Sequence, residues 1–166
     1  MNQIQIKPIS EADIEGFHSC LDAVARERKF LGHLTAPPLQ KAREWITEAM
    51  EKGEIRLIAV DGAQVIGWCD IETYGHEGFD HSGKLGMGVL EEYRGQGIGK
   101  KLLEEALSVA RDRRLERVEL DVYASNVPAI SLYEKFKFQV EGRKRRARKL
   151  DGTYDDIIVM AIVFEQ

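Results

Sequence analysis

The chain has 166 residues, of which 43% are hydrophobic and 31% are charged, and its formal net charge is −4. This length suits one domain with a complete core, so we predict a single domain over residues 1–166. The mildly acidic balance argues against a nucleic-acid-binding protein, and two cysteines are too few for a disulfide framework. The sequence shows neither a signal-peptide pattern nor an apolar run of about 18 residues. These features predict a cytoplasmic protein that does not cross a membrane.

The first half of the chain predicts a strand, two helices and a hairpin. Apolar and polar residues alternate from Ile4 to Ile9, which indicates a strand. Ser10 and Asp13 then match a capping box at the start of a helix. A second amphipathic helix follows a loop with two prolines. The next strands, Ile55 to Val60 and Val65 to Ile71, are joined by an Asp-Gly turn that favours a hairpin.

The second half predicts alternating strands and helices before a final hairpin. Lys84 to Val89 is predicted as a strand, Gly97 to Arg111 as an amphipathic helix and Arg117 to Val122 as the next strand. Asn126 is suited to cap a short helix that ends near Lys135, and an Asp-Gly turn joins the last two strands. The predicted order is β-α-α-β-β-β-α-β-α-β-β, an α/β fold with a mixed sheet.

A glycine-rich turn between a predicted strand and a predicted helix is the sharpest motif. It reads Arg94-Gly-Gln-Gly-Ile-Gly-Lys100, and we call these seven residues the glycine turn. The N-terminus of a helix presents unpaired backbone N–H groups and a positive dipole end, which together bind phosphate. A P-loop is excluded because Lys101 follows Gly99-Lys100, and the dinucleotide fingerprint is excluded because Lys100 replaces its third glycine.

The glycine turn resembles the Arg/Gln-x-x-Gly-x-Gly/Ala pyrophosphate loop of the GNAT superfamily of acyl-CoA N-acyltransferases. A second segment, Asn126-Val-Pro-Ala-Ile-Ser-Leu-Tyr-Glu-Lys-Phe-Lys-Phe138, is similar to the family's Asn-x-x-Ala-x-x-Leu-Tyr-x-x-x-Gly-Phe motif. It departs at Lys137, where the family usually has glycine. The resemblance implies a GNAT-like fold with a mixed, mostly antiparallel central sheet flanked by helices. It also implies an acyltransferase that uses acetyl-CoA as cosubstrate.

The resemblance assigns contacts with the cofactor to three segments. The backbone of the strand ending at Val89 would hold the pantetheine arm, the glycine turn would hold the pyrophosphate, and the second motif would lie beside the arm. The implied cofactor-binding residues are Met87, Gly88, Val89, Arg94, Gly95, Gln96, Gly97, Ile98, Gly99, Lys100, Asn126, Ala129 and Tyr133. Gly86 and Gly88 fit this picture, since they would clear one face of the strand for a ligand.

The resemblance also points to a catalytic acid, whereas the base stays open. Tyr133 matches a family tyrosine near the cofactor sulfur, and it lies seven residues after Asn126 on one helical face. Glu72 and Asp121 are the candidate bases, because both project from strands near the predicted cofactor strand. Asp70, on the same strand face as Glu72, and His81, just before the cofactor strand, are further alternatives. A chain of waters is an alternative to any single residue.

The acceptor is predicted to be a primary amine of a small molecule or an amino acid, attacked directly in a ternary complex. Two alternatives stay open: an N-terminal acetyltransferase of the ribosomal-protein type, and a non-catalytic CoA-binding regulatory module. A homodimer is expected by analogy with the family. No metal site is predicted, because the histidines lack companion ligands. The basic run Gly142 to Lys149 is interpreted as a solvated hairpin edge, and a nucleic-acid partner is not expected. The alternatives for this run are contacts with RNA, an acidic protein tail, the adenosine 3′-phosphate or a substrate carboxylate.

Overall fold

The computed structural model describes residues 3–165 of the chain. Two short 3-10 turns, Glu11–Asp13 and Glu91–Tyr93, precede α1 and the glycine turn. The strands and helices, in chain order, are β1 (Ile4–Pro8), α1 (Ile14–Arg26), α2 (Leu39–Glu51), β2 (Ile55–Asp61), β3 (Gln64–Thr73), β4 (Ser82–Val89), α3 (Ile98–Asp112), β5 (Arg117–Tyr123), α4 (Val127–Lys135), β6 (Gln139–Leu150) and β7 (Thr153–Val163). This order confirms the predicted α/β architecture.

The chain divides into two compact units. The first runs to Glu72 and continues from Gly86 to Arg113, and the second runs from Thr73 to Leu85 and continues from Arg114. Strand β4 therefore supplies its last residues to the first unit and its first residues to the second. The single domain expected from the length stays a prediction.

In the first unit the hydrogen-bonded strand order is β1-β2-β3-β4. β2 pairs antiparallel with β1 and with β3, and its register places Arg56 opposite Asp70 and Ile58 opposite Trp68. The capping box is present, since the Asp13 carboxylate accepts hydrogen bonds from the Ser10 N–H at 2.9 Å and the Ser10 hydroxyl at 2.7 Å. α1, α2 and α3 each bury one apolar face, as the spacing of their apolar residues predicts.

In the second unit the strand order is β4-β5-β7-β6, with β6 at the edge. The β4–β5 pair is parallel and runs from Ser82 opposite Arg117 to Lys84 opposite Glu119. β7 pairs antiparallel with β5 and with β6. Parallel pairing in one place and antiparallel pairing elsewhere confirm the predicted mixed, mostly antiparallel sheet. None of the helices within residues 3–165 combines the length and apolarity needed to cross a membrane.

Candidate active site

The glycine turn enters α3 through two residues with left-handed backbone. Gly95 has φ +74° and Gly97, the N-cap of α3, has φ +80°. Only glycine adopts this region without a steric penalty, and a Cβ at either position would meet no atom within 4 Å. The glycines are therefore required by backbone conformation, and the space beside them is open.

The N-terminus of α3 has no side-chain hydrogen bond from its own N-cap residue. The N–H groups of the first turn of a helix have no partner inside the helix, and the dipole places partial positive charge there. Lys100 lies exposed in this first turn. The arrangement confirms the predicted strand, glycine turn and helix, and it suits an anion such as a diphosphate.

Arg94 uses its guanidinium within the first unit. Its Nη1 and Nη2 donate to the two carboxylate oxygens of Glu27 at 2.9 and 2.6 Å, and its Nε donates to the Val89 carbonyl at 2.9 Å. The group also lies over the Phe30 ring, 4.7 Å from the centroid. These contacts fix the glycine turn to α1 and to the end of β4. Direct binding of phosphate by this side chain stays a prediction.

Gly88 makes room for protein rather than for a ligand, which corrects our interpretation of this residue. A Cβ on Gly88 would lie 2.3 Å from the Trp68 ring, and one on Gly86 would lie 3.4 Å from Asp70 Oδ1. Trp68 is itself 4% exposed and packs edge-on against Phe17 at 5.9 Å between centroids. Gly88 thus accommodates a buried indole on the neighbouring strand, whereas Gly86 is at an ordinary contact distance from Asp70 and is not required there. The sequence could not show this, because strand register is set by pairing.

Among the carboxylates of β3, Asp70 is buried and Glu72 is exposed. The Asp70 side chain is 17% exposed, and its Oδ2 lies 3.6 Å from Nη1 of the buried Arg56. Burial raises the pKa of Asp70 to about 6, with the charges of Glu72 and Glu54 adding to the rise and Arg56 opposing it. A carboxylate with a pKa close to neutrality has the character of a general base. Glu72, the base we named on this strand, stays a prediction.

Sequence reasoning placed Asp70 behind Glu72 for a physical reason. The two-residue period of a strand places Asp70 and Glu72 on one face, which the sequence does indicate. Their burial differs because Asp70 pairs with Arg56 on β2, whereas Glu72 lies near the end of the strand. The sequence does contain one indication of a buried ion pair: Arg56 lies between the apolar residues Ile55 and Leu57 of β2.

Helix α4 confirms the predicted cap. The Oδ1 atom of Asn126 accepts a hydrogen bond from the Ala129 N–H at 3.3 Å, and Pro128 lies in the first turn. Tyr133 is 7% exposed, and its ring centroid lies 5.7 Å from that of Phe138. The structure therefore brings Asn126, Ala129 and Tyr133 onto one short helix in the second unit. Their contacts with a cofactor stay predictions.

Lys137 has a left-handed backbone with φ +74°, which explains the glycine expected at this position. The carbonyl of Tyr133 accepts hydrogen bonds from the Phe136 N–H and the Phe138 N–H, and this closes the last turn of α4. A helix often ends in a residue of this conformation, and glycine adopts it most easily. Lysine keeps the same turn here at a cost in strain of about 1–2 kcal/mol.

Asp121, the other candidate base, lies on β5 beside a lysine of β4. Its Oδ2 accepts from Lys84 Nζ at 2.9 Å, and Lys144 Nζ lies 4.0 Å away. The side chain is 31% exposed. Asp121 thus already holds an ammonium group within reach of solvent, and its role as a base stays a prediction.

The remaining polar motifs do not form a second centre. Within residues 3–165, no three His, Cys, Asp or Glu side chains are arranged to hold a metal ion. Cys69 is fully buried, and burial raises its thiol pKa well above the usual value, which makes it a poor nucleophile. The basic run lies on the edge strand β6, where Arg143 pairs with Asp156 at 2.6 Å and Arg146 covers the Tyr154 ring.

The fold and the glycine turn together define an α/β protein in which a strand leads through left-handed glycines into α3. The model of the Acetyltransferase (GNAT) family matches residues 20–138. The chain therefore belongs to the GNAT family and is an N-acetyltransferase enzyme.

Two comparisons support this membership, and a third shows the same fold. The SPbeta prophage-derived uncharacterized N-acetyltransferase YokL of Bacillus subtilis is 32% identical over 168 residues, which cover 98% of this chain and 91% of YokL. A crystal structure of ribosomal-protein-alanine N-acetyltransferase from Brucella melitensis has 25% identity and a TM-score of 0.89, covering 96% of this chain and 99% of that one. The Sinorhizobium meliloti phosphinothricin acetyltransferase in complex with AcCoA has 17% identity and a TM-score of 0.90, covering 96% and 88%. The last likeness shows the fold alone.

Proposed function

We propose that the enzyme transfers an acetyl group from acetyl-CoA to the primary amine of a small molecule or an amino acid. The observation that carries this proposal is the start of α3, where two left-handed glycines lead into a helix without a side-chain cap. A diphosphate at this point would accept hydrogen bonds from the amides of Gly97 to Lys100 and would lie at the positive end of the helix dipole.

The pantetheine arm is proposed to run along the last residues of β4. The parallel ladder between β4 and β5 ends at Lys84 and Glu119, so Met87 to Val89 lie beyond its last pair. Their backbone groups would bind the amides of the arm and polarise the thioester carbonyl. Asn126 would place its NH2 group beside the arm, since its Oδ1 atom is used as the helix cap.

The chemistry requires three proton transfers and one exchange of bonds. The nitrogen loses one proton before it attacks and a second as the amide forms, and the departing sulfur gains one proton. A base takes a proton from the acceptor ammonium, whose pKa is about 10.4 for a lysine-like amine. The neutral nitrogen then forms a bond with the thioester carbonyl carbon, and the carbon–sulfur bond breaks in a direct reaction within the ternary complex. Tyr133 is proposed to give its hydroxyl proton to the departing thiolate. Asp121 and Glu72 are the proposed bases, and a water chain is the alternative.

The proposed acceptor class follows from the relatives. The L-amino acid N-acetyltransferase AaaT of Escherichia coli, which is 28% identical over 109 residues, is named for an amino-acid acceptor, and the Brucella protein for a ribosomal protein. We favour the small amine or amino acid and keep the ribosomal-protein N-terminus as the second candidate. We also propose a cytoplasmic location and, by analogy with the family, a homodimer.

Replacing Tyr133 by phenylalanine tests the proposed acid. We expect kcat to fall about 100-fold, because general acid catalysis typically contributes 10²–10⁴. The Kd for acetyl-CoA should stay within about twofold, since the ring and its packing against Phe138 are kept. Thiol release across a panel of amines gives kcat, and titration calorimetry gives Kd.

Two results would contradict the proposal at different points. Unchanged turnover in the Tyr133→Phe variant would remove this residue from the mechanism. Absence of any calorimetric signal with acetyl-CoA in the unmodified enzyme would instead remove the cofactor assignment. Binding without turnover on every amine tested would favour the regulatory module.

A further inference from the structure

A surface pocket of about 430 Å³ is lined only by residues of the second unit. None of these residues is among those assigned to the cofactor. Sites for small molecules have volumes of about 300–1,000 Å³. The loop between β3 and β4 and the first residues of β4 and β5 form its wall. The residues used below are Tyr74, His76, Phe79, Ser82, Arg117 and Glu119.

Three rings form the apolar part of the wall. The ring centroids of His76 and Phe79 are 4.9 Å apart, and those of Tyr74 and Phe79 are 6.0 Å apart. Phe79 is 52% exposed and Tyr74 is 37% exposed, although both are large and apolar. Exposed rings clustered in a concave surface favour the binding of another flat, apolar group.

The charged groups of the pocket are already paired with each other. Arg117 Nη2 donates to Glu119 at 2.8 Å, and its Nη1 donates to Glu141 at 3.0 Å. The hydroxyl of Tyr74 donates to the other Glu119 oxygen. Burial, together with this hydrogen bond, raises the pKa of Tyr74 to about 12, so the hydroxyl keeps its proton at neutral pH. Because the ion pair is satisfied, the pocket suits an uncharged ring better than a charged group.

The strand β5 links the pocket to Asp121. Alternate residues of a strand project from one face, so Glu119 and Asp121 share a face and lie about 6.6 Å apart along the strand. At that second position Asp121 holds the ammonium of Lys84 at 2.9 Å, which is the same chemical group as a protonated acceptor amine. The pocket and the ammonium position are therefore separated by about the length of a short carbon chain.

We propose that this pocket binds the aromatic ring of the acceptor, whose primary amine lies at Asp121. The ligand class is a primary amine joined to an aromatic ring through about two carbon atoms. An arylalkylamine, a free aromatic amino acid and a peptide that begins with one share this chemistry. The inference depends on the proposed acetyl transfer to an amine, and it adds a preference among acceptors.

Replacing Phe79 by alanine tests the pocket with matched acceptors. The acceptor pairs are 2-phenylethylamine with propylamine, phenylalanine with alanine, and a phenylalanine-initiated peptide with an alanine-initiated one. The unmodified enzyme should prefer the aromatic member of at least one pair. The preferred pair shows whether the acceptor is an arylalkylamine, a free amino acid or a peptide. In the Phe79→Ala variant the KM for that acceptor should rise about tenfold, because one ring contact of 0.5–1.5 kcal/mol is lost. The KM for acetyl-CoA should not change.

Two variants serve as controls. Phe79→Tyr keeps the ring and should keep the preference. Tyr154→Ala removes a ring of similar exposure, 47%, from the β6–β7 hairpin and should leave all acceptors unaffected. Equal turnover of both members of every pair would overturn the pocket while leaving acetyl transfer intact. An equal loss for aromatic and aliphatic acceptors in Phe79→Ala would also overturn it, since that would indicate a structural role.

A binding experiment separates this inference from the proposed function. If no amine is turned over, ligand-detected NMR with 2-phenylethylamine still tests the pocket. Binding that is lost in Phe79→Ala supports the pocket, and absence of binding overturns it. 2-Phenylethanol, which has the same ring and chain without the charge, is the competitor that isolates the ring site: it should displace 2-phenylethylamine, and failure to do so would overturn the assignment of the pocket to an uncharged ring.

Discussion

Two helices of this enzyme begin in opposite ways. α4 begins at a residue whose own side chain closes the first turn, since Asn126 Oδ1 accepts the Ala129 N–H. α3 begins at Gly97, which has no side chain and a left-handed backbone. Both helices have the same dipole and the same unpaired amides at this end. The difference is that α4 uses its own N-cap side chain at this end, whereas α3 begins with left-handed glycines and open space beside its first amides, which suits an external anion.

Placing a carboxylate at the open helix start is expected to have the largest effect. In a Gly97→Asp variant the new charge would compete with the diphosphate for the amides of α3 and would repel it. Losing two charge-assisted hydrogen bonds of about 1.5–3 kcal/mol each raises the Kd for acetyl-CoA about 1,000-fold. Titration calorimetry measures this Kd directly.

Gly152→Asp is a matched control for this variant. Gly152 also has a left-handed backbone, with φ +78°, and open space where a Cβ would lie, but it turns the β6–β7 hairpin. This variant adds the same charge and a similar strain, and it should bind acetyl-CoA normally. An equal loss of affinity in both variants would show that strain or net charge is responsible, and would contradict the role of α3.

The two units also differ in how they hold an arginine. Arg117 in the second unit is partly exposed and donates to two carboxylates, whereas Arg56 in the first unit is 6% exposed. Its Nη1 lies 3.6 Å from Asp70, and its Nε and Nη2 have no hydrogen-bond partner within the described residues. Protonation of Asp70 therefore affects the Arg56–Asp70 pair more than protonation of one carboxylate affects the contacts of Arg117.

This contrast predicts that stability depends on pH through Asp70. The folded-state pKa of about 6 lies above the unfolded value of about 3.9, so the folded protein binds the proton more tightly. The contribution of Asp70 to stability is therefore present below pH 4 and is lost as pH rises to 6. Relative to Asp70→Asn, the free energy of unfolding should fall by about 3 kcal/mol over this range. Urea unfolding at several pH values measures the difference, and parallel curves for the two proteins would contradict it.

The cap of α4 is expected to have a smaller effect on stability. Asn126→Ala removes the acceptor for the Ala129 N–H and should lower the free energy of unfolding by about 1 kcal/mol. For a chain of this size that corresponds to about 2–4 °C in Tm. Asn126→Asp retains a capping oxygen and should retain stability. If Asn126→Asp weakens acetyl-CoA binding while remaining stable, the NH2 group acts on the cofactor as proposed.

Local sequence predicted these two helix starts, whereas it could not predict burial. The glycines of the glycine turn and the Asn126 cap are determined by residues within one turn of each other, so the motifs identify them. Asp70 and Trp68 gain their surroundings from pairing between β2, β3 and β4, which no local pattern contains. The exposed rings of the pocket also depend on the conformation of the loop that carries Phe79. Strand register and loop conformation are thus the physical reasons why the surroundings of Asp70 and Trp68 and the rings of the pocket could not be predicted from the sequence.

The smallest expected effect is on the free energy of unfolding, from a substitution at the C-terminus of α4. Lys137 holds a left-handed backbone there, and glycine would hold it without strain. The relief of about 1–2 kcal/mol is partly offset, because glycine gains entropy in the unfolded chain, so Lys137→Gly should stabilise the protein by about 0.5 kcal/mol. Lys137→Ala, which keeps the strain and shortens the side chain, should give no gain. If alanine stabilises as much as glycine, the lysine side chain and not its backbone is the source of the strain.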